Sequence, residues 1–306
     1  MEVGEVPVLT LIGLKLPEVK PGDSIVDLIV EYAKKVNVSI DDGDVIVITS
    51  KIISKALDHL VRLDEIIPSN YAIKLSKKTG LDPRLIELVF RESDEILFVI
   101  PFKKLVSKGL IELGDISKDK SKALKALNTC PYMFITIRDN MLWSDSGIDF
   151  SNHPKGVCSI PPRNLDEIAK KIHEEIKEKI GKDVAIVITD TEMFLYGSLD
   201  FARGCYGIPP ITRLFGELDM YGKPKFGGVD LLTHEVAAAS ALLMRQTAEG
   251  IPVVIIKGLK YEKYNGGLLD YTMKFRKLRG LIKEIIIESI KVLGLRKIIF
   301  TLLKRS

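Results

Sequence analysis

Short runs of β-branched apolar residues alternate along this chain with longer stretches in which apolar residues recur at helical spacing. The runs Val45–Thr49 and 184–188 are too short for stable helices and are bounded by turn residues, so they predict buried strands. Leu165–Ile180 is a long charged stretch with helical spacing, and Gly181 closes it. This alternation predicts an α/β chain of the mixed α+β kind.

The same criteria place further elements. The segment 70–93 predicts two helices, because Gly80 and Pro83 interrupt it. Residues 103–129 are rich in lysine without a fixed apolar face, and they predict a helix-prone surface excursion. The Gly and Pro content of residues 196–228 predicts functional loops there. Other strands are predicted at 8–14, 95–100, 132–137 and 252–256, with helices around 25–33 and at 233–245.

Composition excludes several classes of protein. Cys130, Cys158 and Cys205 are scattered without a CxxC pair, which argues against a disulfide framework and against a structural zinc site. The sequence has no run of about 18 or more apolar residues, so no transmembrane helix is predicted. The first residues lack the basic and apolar regions of a signal peptide. Together these features predict a cytoplasmic protein.

Basic charge is concentrated at the C-terminus. Residues 274–306 hold 10 Lys and Arg against 2 Glu, a net charge of +8, so the remainder carries +4 − 8 = −4. An acidic body argues against nucleic-acid binding by the whole protein. Residues 261–306 predict a basic amphipathic helical extension that is broken at Gly294. Packing within the protein is favoured over contact with a membrane surface, because apolar helix faces are more often buried in protein.

Two acidic segments carry candidate ligands for a hard divalent ion. Asp149 and Asn152 lie in the segment 146–152, where they either form a turn or cap, or face a ligand. Asp190 and Thr191 follow the apolar run 184–188. The end of such a strand is where α/β sheets place ligands, but Asp and Thr are also good helix N-caps. Both alternatives stay open for each segment.

Basic and hydroxyl side chains follow the strand Val45–Thr49. Ser50, Lys51 and Lys55 suit phosphate oxygens, although surface lysines are usually only solvated. A P-loop is not expected, since no glycine-rich Walker motif is present. Glu235 opens the alanine-rich helix, where it either complements the helix dipole or binds a metal.

In combination, these segments resemble the coenzyme F420-0:gamma-glutamyl ligase family. The likeness covers roughly residues 8–260, apart from an insertion near 107–131, and its pieces occur in the family's order. The matching stretches are Lys20-Pro21-Gly22-Asp23, Gly43-Asp44-Val45, 50–56, 82–89, 91–93, 146–152, 188–191, the helix with Glu235, and 250–258.

The resemblance implies mixed sheets flanked by helices and a homodimer. We expect a catalytic region over 1–260, and the extension 261–306, like the insertion, is an addition to the family's pattern. It implies a ligase that forms an amide between L-glutamate and a carboxylate acceptor, F420-0 or F420-1, through an acyl phosphate made from GTP. Mg²⁺ or Mn²⁺ is implied, with K⁺ as a further ion. The resemblance implies that the metal ligands are Asp149, Asp190, Thr191 and Glu235. It implies nucleotide contacts by Ser50, Lys51, Lys55 and Asn152. The catalytic residues that it implies are Asp149, Asp190 and Lys55.

Several residues depart from the family's pattern. After Thr191 the family typically has a Gly-Arg segment with further arginines, whereas this chain continues as Glu192-Met193-Phe194-Leu195-Tyr196-Gly197. Arg203 is a candidate to supply the missing charge for an anionic acceptor. We therefore expect retained metal and nucleotide chemistry with altered acceptor recognition. The alternatives are a paralogue acting on another carboxylate, or a nucleotide-binding protein without ligase activity.

Overall fold

The computed structural model describes residues 6–245 and 249–303. The chain divides into two compact units, a body that extends to Tyr271 and a C-terminal unit that starts at Thr272. The body therefore includes residues 261–271, which the sequence assigned to the extension. Within the described part of the chain, no helix is both long and apolar enough to span a membrane.

The predicted mixed α/β architecture is confirmed. The strands are β1 (Thr10–Leu14), β2 (Val45–Thr49), β3 (Leu60–Arg62), β4 (Glu95–Ile100), β5 (Met133–Arg138), β6 (Met141–Ser144), β7 (Val157–Ser159), β8 (Ala185–Phe194), β9 (Gly197–Tyr206) and β10 (Val253–Lys257). The helices of the body are α1 (Ile25–Lys35), α2 (Ser50–Ala56), α3 (Asn70–Thr79), α4 (Pro83–Glu92), α5 (Phe102–Ser107), α6 (Leu113–Ile116), α7 (Lys120–Thr129), α8 (Leu165–Ile180) and α9 (Leu232–Met244).

The main sheet has the strand order β1-β10-β2-β8-β9. Strands β2 and β8 run parallel, and their register pairs Thr49 with Thr189. The other neighbours in this sheet are antiparallel. Because β2 and β8 run parallel with Thr49 beside Thr189, Ser50, the first residue after β2, meets Asp190 where the pairing of the two strands ends.

Helices cover both faces of the main sheet, as alternation along β2 requires. Ile46 and Ile48 pack on the face that α1 and α8 cover, and Val45 and Val47 pack on the face that α9 covers. Both faces are therefore dry, which explains why β2 is a continuous apolar run. A three-stranded sheet, β4-β5-β6, and a two-stranded sheet, β3-β7, complete the body.

The helix α8 and the strand β2 match their predicted bounds, and the excursion at 103–129 forms the helices α5, α6 and α7. The loop prediction for 196–228 is wrong over its first part, because β9 occupies Gly197–Tyr206. The strand β8 likewise continues past Asp190 to Phe194 and pairs with β9 as a hairpin. Asp190 and Thr191 therefore lie inside a strand, and the N-cap alternative is wrong.

The C-terminal unit contains two helices, α10 (Phe275–Leu293) and α11 (Leu295–Leu303). Gly294 separates them, as the sequence predicts, and its φ of 78° suits glycine. None of the residues of α10 is buried.

Candidate active site

The first turn of α2 meets the second acidic segment. Ser50 follows β2 directly, and its hydroxyl donates a short hydrogen bond to Oδ2 of Asp190. The backbone N–H of Thr191 donates to Oδ1 of the same carboxylate at 2.7 Å. Desolvation raises the pKa of Asp190 to about 6, against the opposing effects of the Ser50 hydrogen bond and the Arg203 charge. A carboxylate held by hydroxyl and amide donors in a poorly hydrated place is a strong attractor for a cation.

The same turn of α2 also meets the first acidic segment. Lys51 Nζ lies 2.8 Å from Oδ2 of Asp149 and donates to Oγ of Ser151 at 2.6 Å. Oδ1 of Asp149 accepts the backbone N–H of Ser151 at 2.6 Å, so this segment does form the Asx-type turn that was one of its alternatives. Burial acts to raise the pKa of Asp149, but the charge and hydrogen bonds of Lys51 and Ser151 outweigh it and hold that pKa below its usual range.

The last turn of α2 adds a second lysine. Lys55 is only 9% exposed, and its Nζ donates to the backbone carbonyl of Asn152 at 3.0 Å. Glu18 lies 3.5 Å from the same ammonium group. Asn152 thus contacts Lys55 through its main chain, and its φ of 58° places it in the left-handed region that Asn tolerates. Ser50, Lys51 and Lys55 consequently join both acidic segments through one short helix.

Two predicted metal ligands, Thr191 and Glu235, lie apart from the junction at which α2 meets the two acidic segments. Thr191 donates its hydroxyl to Oδ1 of Asp200 at 2.6 Å, and strand alternation directs its side chain to the face of β8 opposite that of Asp190. Glu235 is exposed in the first turn of α9, and no hydrogen bond or ion pair between described residues joins it to Asp149 or Asp190. The neighbouring His234 accepts the backbone N–H of Ala202 through Nδ1 at 3.1 Å.

A buried ion pair beside Asp190 escaped prediction. Glu192 and Arg203 form a short salt bridge, with side chains 14% and 4% exposed. Ser144 donates to Glu192 through its backbone N–H at 2.7 Å and its hydroxyl at 2.5 Å. The Arg203 guanidinium donates to the carbonyl of Leu142 at 2.7 Å and lies 3.8 Å from the ring centre of Trp143. The last contact is a cation–π interaction.

A β-bulge creates this arrangement. The register of the β8–β9 pair jumps from Ile188 opposite Gly204 to Thr189 opposite Ala202, which leaves Arg203 as the extra residue. Bulges re-aim a side chain relative to the regular alternation. Here the bulge brings Arg203 to the face that carries Asp190 and Glu192. Arg203 is therefore committed to internal partners, and the expectation that it replaces the missing acceptor-binding arginines is wrong.

A further acidic group, Asp145, lies close to the ion pair of Glu192 and Arg203. Desolvation raises the pKa of Asp145 to about 7, and the nearby Glu192 charge adds to the effect. Oδ1 of Asp145 accepts the backbone N–H of Phe134 at 2.7 Å. Residues two apart in a strand share a face, so the spacing of Asp190 and Glu192 could have placed Glu192 beside Asp190. That inference requires knowing that β8 continues beyond Asp190.

The donor set fits a small hard cation. Among residues 6–245 and 249–303, no three His, Cys, Asp or Glu side chains stand close enough to hold a metal ion by themselves. Mg²⁺, however, is commonly held by one or two carboxylates together with water and substrate phosphates. Asp149 and Asp190 offer two carboxylates beside the hydroxyl of Ser50 and the ammonium groups of Lys51 and Lys55. This arrangement suits a metal ion that arrives with an anionic substrate.

A mixed α/β fold with carboxylates and lysines gathered where the pairing of two parallel strands ends is an arrangement typical of enzymes that bind anionic substrates. Comparison with known proteins then identifies the family. The family model of F420-0:gamma-glutamyl ligase matches residues 13–258, so the chain belongs to this family of amide-bond-forming ligases. The matched range agrees with the resemblance over 8–260.

Similar proteins from archaea carry a consistent name. The chain is 31% identical over 287 residues to the coenzyme F420:L-glutamate ligase of Methanopyrus kandleri, covering 92% of this chain and 97% of that protein. It is 33% identical to the enzymes of that name from Methanosarcina mazei, covering 81% and 84%, and from Methanocaldococcus jannaschii, covering 84% and 90%. The likeness thus spans between 84% and 97% of the length of these relatives.

Proposed function

We propose that this protein joins L-glutamate to the carboxylate of a coenzyme F420-type acceptor, using GTP and a divalent metal ion. The relatives are named for glutamate ligation to coenzyme F420. The observation that supports the GTP and metal assignment is the junction at α2, where Ser50 bonds Asp190 and Lys51 pairs with Asp149. One helical turn there gathers cation-binding oxygens and phosphate-binding amines.

The chemistry needs a carboxylate to become an acylating agent. Transfer of the terminal phosphoryl group of GTP to an oxygen of the acceptor carboxylate releases GDP and makes an acyl phosphate. The amine nitrogen of glutamate then attacks the acyl carbon, inorganic phosphate leaves with the C–O electron pair, and the amine gives up a proton. No side-chain nucleophile is required, so positioning and charge stabilisation carry the catalysis.

Each residue of the junction has a role in this scheme. Lys51 and Lys55 orient phosphate oxygens and offset their charge, and the Ser50 hydroxyl fixes the direction of the Asp190 carboxylate. Asp149 and Asp190 would hold the divalent ion, which when bound neutralises charge on the phosphate oxygens. Thr191 and Glu235 remain proposed ligands that would need the local structure to rearrange.

Release of GDP and phosphate in the presence of L-glutamate and a purified deazaflavin acceptor tests this proposal. Asp190→Asn should lower kcat by roughly 10²–10³-fold, the range seen when one preorganised electrostatic group is removed. Asp58→Asn is the matched control, because Asp58 is exposed just after α2 and has a φ of 56° that Asn also adopts. Full activity of Asp190→Asn, or the same loss in both variants, would refute the assigned role. GTP binding without turnover would instead indicate a nucleotide-binding protein without ligase activity.

A second candidate is a ligase with the same chemistry and a different carboxylate acceptor. The observation in its favour is the burial of Arg203 against Glu192, in a chain that lacks arginines between 192 and 197. An acceptor with fewer negative charges than F420-0 would need fewer cations. GTP-dependent consumption of L-glutamate with simpler monocarboxylates, but not with the deazaflavin acceptor, would identify this alternative.

A further inference from the structure

The helix α10 of the C-terminal unit has one apolar and one basic side. Apolar residues cover about half of its circumference at 100° per residue. This stripe includes Leu278, Ile282, Ile285, Ile286, Ile290 and Leu293. Arg276, Lys277 and Lys291 occupy the opposite side, together with Glu284 and Glu288. Lys283 lies at the edge of the stripe, and Arg279 falls within it, between Ile286 and Ile290.

The residues of the stripe are substantially exposed among the described residues of the C-terminal unit. Ile285 and Ile286 are 55% and 53% exposed, and no residue of α10 is buried. Leu295 and Phe300 of α11 are also exposed, at 53% and 67%. An exposed apolar surface of this extent indicates an interaction site.

The net positive charge of the C-terminal segment indicates the chemistry of its partner. Residues 274–306 carry a net charge of +8, so pairing two copies of this tail would bring two strongly basic segments together. An anionic partner is favoured instead. Nucleic acid would satisfy the charge but would leave the apolar stripe in water, whereas a lipid surface with anionic headgroups accepts both.

We propose that the helices α10 and α11 bind the surface of an anionic membrane, with the apolar stripe inserted at the level of the headgroups and the basic side facing phosphate groups. The proposal places the helices on such a surface, without crossing it. This departs from the packing role that the sequence favoured. It concerns a segment beyond residue 258, where the family model ends, and is independent of the ligase reaction.

Co-sedimentation of the full chain with lipid vesicles tests this inference. We expect binding to vesicles of equimolar phosphatidylcholine and phosphatidylglycerol, and none to phosphatidylcholine alone. Ile286→Ser should weaken the binding about tenfold, because it removes one inserted apolar side chain. Ile287→Ser is the matched control, since the same change then falls on the polar side of the helix. Lys283→Gln should weaken binding about fivefold, and added salt should weaken it further.

Three results would overturn the inference. The first is no sedimentation with either type of vesicle, with circular dichroism confirming that the protein is folded. The second is equal binding by wild type, Ile286→Ser and Ile287→Ser, with loss only in Lys283→Gln, which would indicate a simple polyanion site. The third is a dimer by light scattering that Ile286→Ser dissociates, without vesicle binding, which would indicate that a second copy covers the stripe.

Discussion

Removal of the Glu192 charge should destabilise the protein severely. The change Glu192→Gln keeps the size of the side chain but leaves the guanidinium of Arg203, only 4% exposed, without its ion-pair partner. It also weakens the two hydrogen bonds that the carboxylate accepts from Ser144. A buried charge that loses its partner must either remain in a poorly hydrated place or drag water into it.

The expected loss in the free energy of unfolding is about 3–5 kcal/mol, the cost of breaking a buried ion pair from one side. This is a large part of the stability of a typical domain. The double variant Glu192→Gln with Arg203→Met should lose less than the sum of the two single variants, because it removes both charges together. The methionine retains part of the contact with the Trp143 ring.

Urea unfolding followed by circular dichroism measures these differences. Fluorescence is a poor choice, since the lone Trp143 lies against Arg203 and responds to the substitution itself. The matched control is Glu31→Gln, in an exposed pair with Lys35 on the surface of α1, which should leave stability unchanged within error. A loss below about 1 kcal/mol for Glu192→Gln, or strict additivity in the double variant, would show that the buried pair has no energetic coupling.

Three further substitutions test the fold. Gly204→Ala should cost about 1–3 kcal/mol in urea unfolding, because the new Cβ would lie 2.5 Å from the backbone carbonyl carbon of Leu165. Asp166→Asn should cost about 1–3 kcal/mol, since Asp166 accepts three backbone N–H groups and an amide offers one oxygen. The hydrogen bonds from Arg84 hold the pKa of Asp82, the N-cap of α4, below its usual range. Asp82→Ala should therefore cost about 1 kcal/mol near pH 7, and the difference should shrink in acid as pH falls through that lowered pKa.

Sequence reasoning recovered those elements whose pattern is set locally. The strand β2 and the helix α8 were predicted at their observed bounds because each has a clear periodicity and a clear stop signal. The strand β9 was missed because the glycines and prolines of residues 196–228 were taken as marks of loops. In the structure Gly204 lies within β9. The residue is glycine because the start of α8 passes too close to leave room for a side chain.

The candidate site likewise has one part that the sequence could predict and one part that it could not. Ser50 and Asp190 could be brought together from the sequence, because each comes shortly after an apolar run that predicts a strand, and neighbouring parallel strands present such residues at one edge. The pair of Glu192 and Arg203 could not, because it depends on the length of the β8–β9 hairpin and on a bulge within it. Both are tertiary features, and a single-sequence pattern carries little trace of where a strand pair slips by one residue.

The two carboxylates that the sequence treats alike differ in their charge environments. Asp149 already has the ammonium of Lys51 at 2.8 Å, so a cation that binds there displaces a positive charge. Asp190 is held by the neutral hydroxyl of Ser50 and the N–H of Thr191, and its nearest charges include both Arg203 and the like-charged Glu192. A cation at Asp190 therefore adds positive charge to a carboxylate that is held by neutral donors. A cation at Asp149 instead releases Lys51 from its ion pair. Since Lys51 then becomes available to a phosphate oxygen, we propose that a metal ion and a nucleotide strengthen one another's binding at this junction.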